Sequence, residues 1–201
     1  MSTSKKQIHD LATLSMLVAL MAILTFVPMV GFIQIPPLIS ITIMHIPVII
    51  GAVLLGPKYG GILGGVFGLM SMLKATFFGA GIADFIFSPF LSGNPVSSII
   101  MCFIPRILLG VIAGGLFLLI KKKLPNELLS IGISAAIATL FHSLSVLTLM
   151  FLLFKGDVFD SLKAVFATAF GLNGILELVV AVILSTAVCK VVFAAMRKKR
   201  V

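Results

Sequence analysis

Apolar stretches long enough to cross a membrane follow one another along almost the whole chain, separated only by short polar segments. Only 10% of the 201 residues are charged and 60% are hydrophobic, whereas soluble domains average about 25% charged residues. So few polar side chains could not cover the core of a water-soluble fold. In lipid the backbone must pair internally, and unbroken apolar runs favour helices over the alternating strands of a barrel. The sequence therefore predicts an all-α polytopic membrane protein.

A single transmembrane domain over residues 1–201 accommodates these stretches. A spanning helix needs about 20 apolar residues, and proline, glycine and charged segments mark where one span ends and the next begins. Examples are Pro36-Pro37, Gly56-Pro57 and the polar segment 79–95. Six spans are predicted, at residues 11–30, 41–55, 61–78, 96–120, 128–154 and 161–196.

The distribution of basic residues orients these spans. Six spans place both termini on one side of the membrane, and eleven of the fifteen Lys and Arg residues fall on that side. Lys74, Lys155 and Lys163 fall on the other side, and Arg106 lies within a span. Because lysine and arginine concentrate in cytoplasmic loops, both termini are predicted to be cytoplasmic. The net charge of +9 is thus interpreted as a topology signal and not as a nucleic-acid-binding surface.

Polar side chains recur at one depth in the last three predicted spans. Arg106, His142 and Asn173 each lie about eleven or twelve residues from the outer end, or roughly 16–18 Å. Glu177 lies about one turn deeper, on the same helix face as Asn173. Ionisable residues inside a membrane cost roughly 2.5–3.5 kcal/mol each on insertion scales, so they are functional candidates.

Arg106 allows two interpretations. It could form a structural ion pair with Glu177 that holds the fourth and sixth spans together. It could instead face an anionic substrate group in a solvated pocket, since the guanidinium fork suits a carboxylate or a phosphate; Glu177 would then orient it. Pro105 precedes Arg106 and displaces the carbonyl of Met101 from its helical hydrogen bond.

Three further polar residues lie near this level or above it. Gln34 and Asn94 fall in the predicted outer loops 31–40 and 79–95, where they could close over such a pocket. His45 is close to Pro47 and is expected only to satisfy a backbone group. The predicted substrate-binding residues are therefore Gln34, Asn94, Arg106, His142, Asn173 and Glu177.

The sequence contains no motif for catalysis or metal binding. HExxH and GxSxG are absent, and Gly51 to Lys58 lacks the Lys-Ser/Thr end of a phosphate-binding loop. We therefore predict no catalytic residue, no metal, no cofactor and no ATP hydrolysis in this chain. A membrane enzyme using His142 and Glu177 is the alternative from a different class, and it would need a nucleophile or a metal set that the sequence does not show.

Small residues form faces on three of the spans. Ala12, Ser15, Ala19 and Ala22 follow one another at spacings of 3, 4 and 3, which places them on one face of the first helix. Such a face is either an internal contact or a docking face for another membrane subunit, because close packing drives helix association in lipid. The glycines of the third and fourth spans are predicted to serve internal packing: Gly60, Gly64, Gly68, Gly110 and Gly114.

In combination these features resemble the substrate-binding S components of energy-coupling factor (ECF) vitamin transporters, over nearly the whole chain. The matching segments are Ile46-Pro47 to Gly56-Pro57, Pro105-Arg106 to Gly110, and Asn173 to Glu177. The resemblance implies a subunit of the bacterial plasma membrane that binds a vitamin from outside, with the loop 31–40 as its gate. It also implies docking on a transmembrane coupling subunit that carries two ATPases, which use ATP and Mg²⁺.

In this family an AxxxA-type motif on helix one contacts the coupling subunit, and Ser15 to Ala19 matches its spacing with serine in place of the first alanine. The chain looks most like the branch that binds pantothenate, hydroxymethylpyrimidine and riboflavin. Pantothenate is favoured because it is flexible, hydroxylated and carboxylated, and because Trp is absent, whereas flat aromatic ligands stack on such rings. Hydroxymethylpyrimidine, pyridoxine or riboflavin, or a stand-alone secondary transporter of a small anionic metabolite, stay open as alternatives.

Overall fold

Six helices and one β-hairpin make up the described part of the computed structural model, which covers residues 3–27, 31–35, 39–79, 84–154, 167 and 171–198. The strands are β1 (Phe32–Ile35) and β2 (Ile39–Thr42), and they lie between the first two helices. A 3-10 turn, Asp84–Phe87, precedes the fourth helix. The helices are α1 (Thr3–Phe26), α2 (Ile46–Leu55), α3 (Pro57–Phe78), α4 (Pro95–Lys123), α5 (Glu127–Leu153) and α6 (Leu172–Lys198).

The hairpin corrects the second predicted span. Residues 41–55 were expected to be helical, but Ile41 and Thr42 belong to β2 and the helix begins only at Ile46. The strands pair antiparallel, with Phe32 opposite Thr42, and β-branched residues such as Ile39 and Ile41 favour a strand. Pro47 then lies in the first turn of α2, where its fixed φ suits a helix start. The all-α expectation therefore holds apart from this hairpin.

Five helices of the described chain are long and apolar enough to cross a membrane, namely α1, α3, α4, α5 and α6. The helix α2 has 10 residues, which gives a length of about 15 Å, half of a hydrocarbon core of about 30 Å. The sixth predicted span began at residue 161, but 155–166 and 168–170 lie outside the described residues. The described helix there is α6, which ends at Lys198.

The helices α3 and α4 are in direct backbone contact along a row of glycines. A Cβ atom built on Gly64 would overlap the carbonyl group of Arg106, and one on Gly60 would overlap that of Gly110. At Gly68 a Cβ would lie 2.5 Å from the carbonyl oxygen of Cys102. The prediction that these glycines serve internal packing is confirmed, since only glycine permits this approach.

A carboxylate joins three helix termini at one end of the molecule. Glu127, the first residue of α5, accepts from Lys121 Nζ at 2.8 Å and from Arg197 Nη2 at 2.6 Å. Lys121 belongs to the last turn of α4 and Arg197 to the last turn of α6. A carboxylate at a helix N-terminus and cations at C-terminal turns also complement the helix dipoles.

Candidate functional site

The side chain of Arg106 folds back onto its own helix. Because Pro105 has no N–H, the carbonyl of Met101 lacks its usual helical donor. Nη1 of Arg106 donates a hydrogen bond to that carbonyl. Arg106 is only 6% exposed. Pro105 thus leaves one carbonyl of α4 without its helical donor, and the hydrogen bond to that carbonyl fixes where the guanidinium lies.

Two phenylalanine rings enclose the guanidinium. Its Cζ atom lies 5.5 Å from the ring centroid of Phe67 on α3 and 5.1 Å from that of Phe87 in the 3-10 turn. Both distances suit a cation–π interaction. The Phe87 carbonyl is also bound by Cys102, whose Sγ donates to it at 3.3 Å, so the turn is attached to α4 beside Arg106.

The charge of Arg106 is not neutralised by the protein in the described residues. No described carboxylate forms an ion pair with it, and its Nε is buried without a hydrogen-bond partner. Aromatic faces offset only a small part of the desolvation of a cation, and a buried charge without a counter-charge is costly. The surroundings of Arg106 therefore suit an anion supplied from outside the chain.

Glu177 does not supply that anion. Its Oε1 accepts a hydrogen bond from the backbone nitrogen of Thr42 at 2.7 Å, so this carboxylate attaches α6 to the end of β2. The structural ion pair between Arg106 and Glu177, one of the two interpretations of the sequence, is therefore not formed.

His142 lies beside Arg106 and connects it to α2. Its Nδ1 is 3.4 Å from the carbonyl oxygen of Pro105. Its ring stacks on His45, with centroids 6.2 Å apart and planes at 25°, and tilts against Phe67 at 5.9 Å. Side chains from α3, α4, α5, the 3-10 turn and the residue that precedes α2 thus meet in one cluster. We call it the Arg106 cluster: His45, Phe67, Phe87, Arg106 and His142.

The other predicted binding residues lie apart from this cluster or have side chains outside the described part of the structure. Asn94 is exposed and caps α4, where its Oδ1 accepts from the backbone nitrogen of Ser97 at 3.3 Å. Gln34 lies in β1 opposite Ser40, but its side chain is outside the described part of the structure, as is that of Asn173. The roles of Gln34, Asn94 and Asn173 in binding remain predictions.

Three members of the Arg106 cluster were not among the predicted binding residues: His45, Phe67 and Phe87. The signal for His45 was present, because it is the only ionisable residue between Asp10 and Lys58, and such residues within a membrane mark functional sites. The phenylalanines gave no signal, since the chain contains 17 of them and an apolar ring in a span is ordinary.

Three of the four residues on the small-residue face of α1 are exposed in the described structure. Ala12, Ser15 and Ala19 are exposed, while Leu17 and Met21 on the other side of the helix are buried in the core. Ala22 differs from its three companions, because it packs against that core. Ala22 thus forms an internal contact, which was one of the two interpretations of this face. Ala12, Ser15 and Ala19 are exposed and can contact a second protein or lipid.

Comparison with known proteins identifies a family and relatives of this chain. The family model described as ECF transporter, substrate-specific component, matches residues 9–189. The pantothenic acid transporter PanT of Lactococcus lactis subsp. cremoris is 32% identical over 190 residues, covering 92% of this chain and 93% of that protein. The pantothenate transporter PanT of Leuconostoc mesenteroides subsp. mesenteroides is 28% identical over 200 residues, covering 94% of this chain and 93% of that protein.

Proposed function

The chain belongs to the family of substrate-specific components of ECF transporters, and from that membership we propose that it binds pantothenate for import across the bacterial cell membrane. Both relatives named above are called pantothenate transporters. The observation in this chain that carries the proposal is the buried guanidinium of Arg106, which no described carboxylate neutralises and whose Nε lacks a partner.

The chemistry of pantothenate suits the groups of the Arg106 cluster. The molecule has a carboxylate at one end, an amide in the middle and two hydroxyls at the other end. Arg106 presents N–H donors for the carboxylate, and the two imidazoles present a donor or an acceptor at each nitrogen. The rings of Phe67 and Phe87 beside Arg106 provide apolar surface for the two methylene groups between the carboxylate and the amide.

We also propose that the chain crosses the membrane with both termini in the cytoplasm, the hairpin and α2 together forming the second of six crossings. The contacts of Glu127 support this orientation, because they bring the basic ends of α4 and α6 to one side. The start of α1 lies near the α2–α3 turn, because Lys6, Asp10 and Tyr59 line one cavity of about 400 Å³. The positive-inside rule then makes this basic end cytoplasmic.

The chain is a transport subunit without enzymatic activity of its own, and we propose that two partner ATPases energise it through a transmembrane coupling subunit. The exposed face of Ala12, Ser15 and Ala19 supports α1 as the docking helix, since small side chains let a second helix approach closely in lipid. ATP and Mg²⁺ would be used by those partners and not by this chain.

Calorimetry on the purified chain in detergent tests the substrate. Pantothenate, hydroxymethylpyrimidine, pyridoxine and riboflavin are titrated separately at equal concentrations. Heat of binding with pantothenate and with none of the other three is the expected result. Tight binding of another of these vitamins without heat from pantothenate would overturn the assignment.

A further inference from the structure

His45 is a buried imidazole at the junction between the hairpin and α2. It is 2% exposed and directly precedes α2 as its N-cap residue, but its side chain makes no capping hydrogen bond. Its Nε2 is buried and has no hydrogen-bond partner among the described residues. Burial of a polar atom without a partner is unfavourable, so this nitrogen requires an explanation.

The free nitrogen of His45 suits a hydroxyl group. A neutral imidazole has one donor nitrogen and one acceptor nitrogen, and the tautomer decides which of the two Nε2 is. A hydroxyl can donate or accept a hydrogen bond, so it can pair with Nε2 in either tautomer.

His45 and Arg106 are linked by a chain of ring contacts. His45 stacks on His142 with centroids 6.2 Å apart, and Arg106 lies over Phe67 at 5.5 Å. His142 and Phe67 contact each other at 5.9 Å. Two buried polar atoms that lack partners among the described residues, Nε of Arg106 and Nε2 of His45, therefore belong to one cluster. The first is a donor, and the second donates or accepts according to the tautomer.

We propose that His45 contacts the ligand directly, through a hydrogen bond between Nε2 and a hydroxyl of the molecule whose carboxylate lies at Arg106. This assignment rests on the proposed binding of a hydroxylated carboxylate such as pantothenate. The hydroxyls lie at the opposite end of pantothenate from the carboxylate, and His45 is linked to Arg106 through the ring contacts of His142 and Phe67. His45 thereby selects for a hydroxylated ligand, because an analogue without the hydroxyl leaves Nε2 buried and unpaired.

The position of His45 in the chain gives this contact a second effect. Three residues earlier, Thr42 ends β2 and donates its N–H to Glu177, and Ile43 donates its N–H to the carbonyl of Gly31 at 3.1 Å. Ile46 in turn donates to the carbonyl of Ile43 at 3.2 Å. A ligand that bridges Arg106 and His45 therefore ties α4 to the base of the hairpin.

The test compares three ligands on matched variants of the full chain. The ligands are pantothenate and two analogues in which one or the other hydroxyl is replaced by hydrogen. His45→Phe keeps a stacking ring and removes the polar nitrogens. His45→Gln keeps an amide that can donate or accept a hydrogen bond, and it also serves if the phenylalanine variant does not fold. Ser185→Ala is the control, since it removes a hydroxyl of α6 that is likewise buried and unpartnered.

We expect His45→Phe to lower the affinity for pantothenate by about tenfold or more and to leave the affinity for one deoxy analogue unchanged. His45→Gln should retain the preference for pantothenate over that analogue, and Ser185→Ala should change none of the three affinities. If His45→Phe weakens the binding of all three ligands equally, His45 is a structural residue. If it weakens the binding of none, a buried water binds Nε2. Either result overturns the assignment. Failure of the unmodified chain to bind pantothenate would instead overturn the proposed function.

Discussion

The carboxylate of Glu177 lies 2.7 Å from the backbone nitrogen of Thr42 and so attaches α6 to the last residue of the β-hairpin. The two residues are 135 positions apart in the chain. Strands and helices otherwise pair their backbone groups internally, so a carboxylate that binds a strand-end N–H is an added attachment of the hairpin to the helices. Because the hairpin leads directly to His45, this attachment also bears on the Arg106 cluster.

Removal of the Glu177 carboxylate should loosen the hairpin. A hydrogen bond to a charged group contributes roughly 1.5–3 kcal/mol, so Glu177→Ala is expected to raise hydrogen–deuterium exchange over residues 39–43 by about tenfold or more. Glu177→Gln keeps an acceptor oxygen and should show a smaller rise. Exchange in the alanine variant that matches the unmodified chain would show that other contacts hold the hairpin.

Loss of the Arg106 guanidinium should weaken only ligands that carry a carboxylate. Arg106→Ala is expected to reduce affinity for pantothenate by more than about tenfold, as measured by calorimetry. Pantothenol, in which an alcohol replaces the carboxylate, is the matched ligand, because loss of the bond to Met101 affects both molecules equally. If the variant weakens pantothenol by the same factor, Arg106 supports the fold and does not contact the ligand charge.

A methyl group between α3 and α4 should destabilise the protein. Gly64→Ala would force Cβ into the carbonyl group of Arg106, and such overpacking costs typically 1–3 kcal/mol, visible as a lower melting temperature in detergent. Gly115→Ala is the control within α4, because a Cβ there meets nothing within 4 Å. It should be neutral or raise stability by up to about 1 kcal/mol, since alanine is the better helix former. Equal melting temperatures for the two variants would refute the packing account.

A bulky side chain on the exposed face of α1 should block assembly and spare binding. Ala19→Leu adds volume to the face proposed to dock on the coupling subunit, where small residues allow close approach. Ala187→Leu makes the same change at an exposed position of α6. We expect only the first variant to lose co-purification with a membrane partner and two ATPases, while both bind pantothenate normally. A complex that survives Ala19→Leu would move the interface elsewhere.

The elements that the sequence predicted well depend on local patterns. The helix α4 is an example: Asn94 caps it, Pro95 occupies its first turn and Lys121 lies in its last turn, all signals that are readable within a few residues. The effect of Pro105 was likewise predictable, since loss of one N–H frees one carbonyl. The structure adds that Arg106 itself binds the carbonyl so released.

The features that the sequence did not reveal depend on distant contacts or on ambiguous composition. Ile41 and Thr42 lie in an apolar stretch that suits a buried strand and a helix equally well, which explains the wrong helix start. The bond between Glu177 and Thr42 joins distant parts of the chain, and no local pattern encodes it. The stack of His45 on His142 depends in turn on where the hairpin ends.

The glycine contact between α3 and α4 makes the anion-binding part of the site rigid. Arg106 lies on α4, Phe67 lies on α3, and the backbones of these helices touch at Gly64, so the groups for the anionic end are held at a set separation. The hairpin is instead attached to α6 by the hydrogen bond between Thr42 and Glu177. Residues of the hairpin can therefore change in evolution while the anion-binding part of the site is inherited intact.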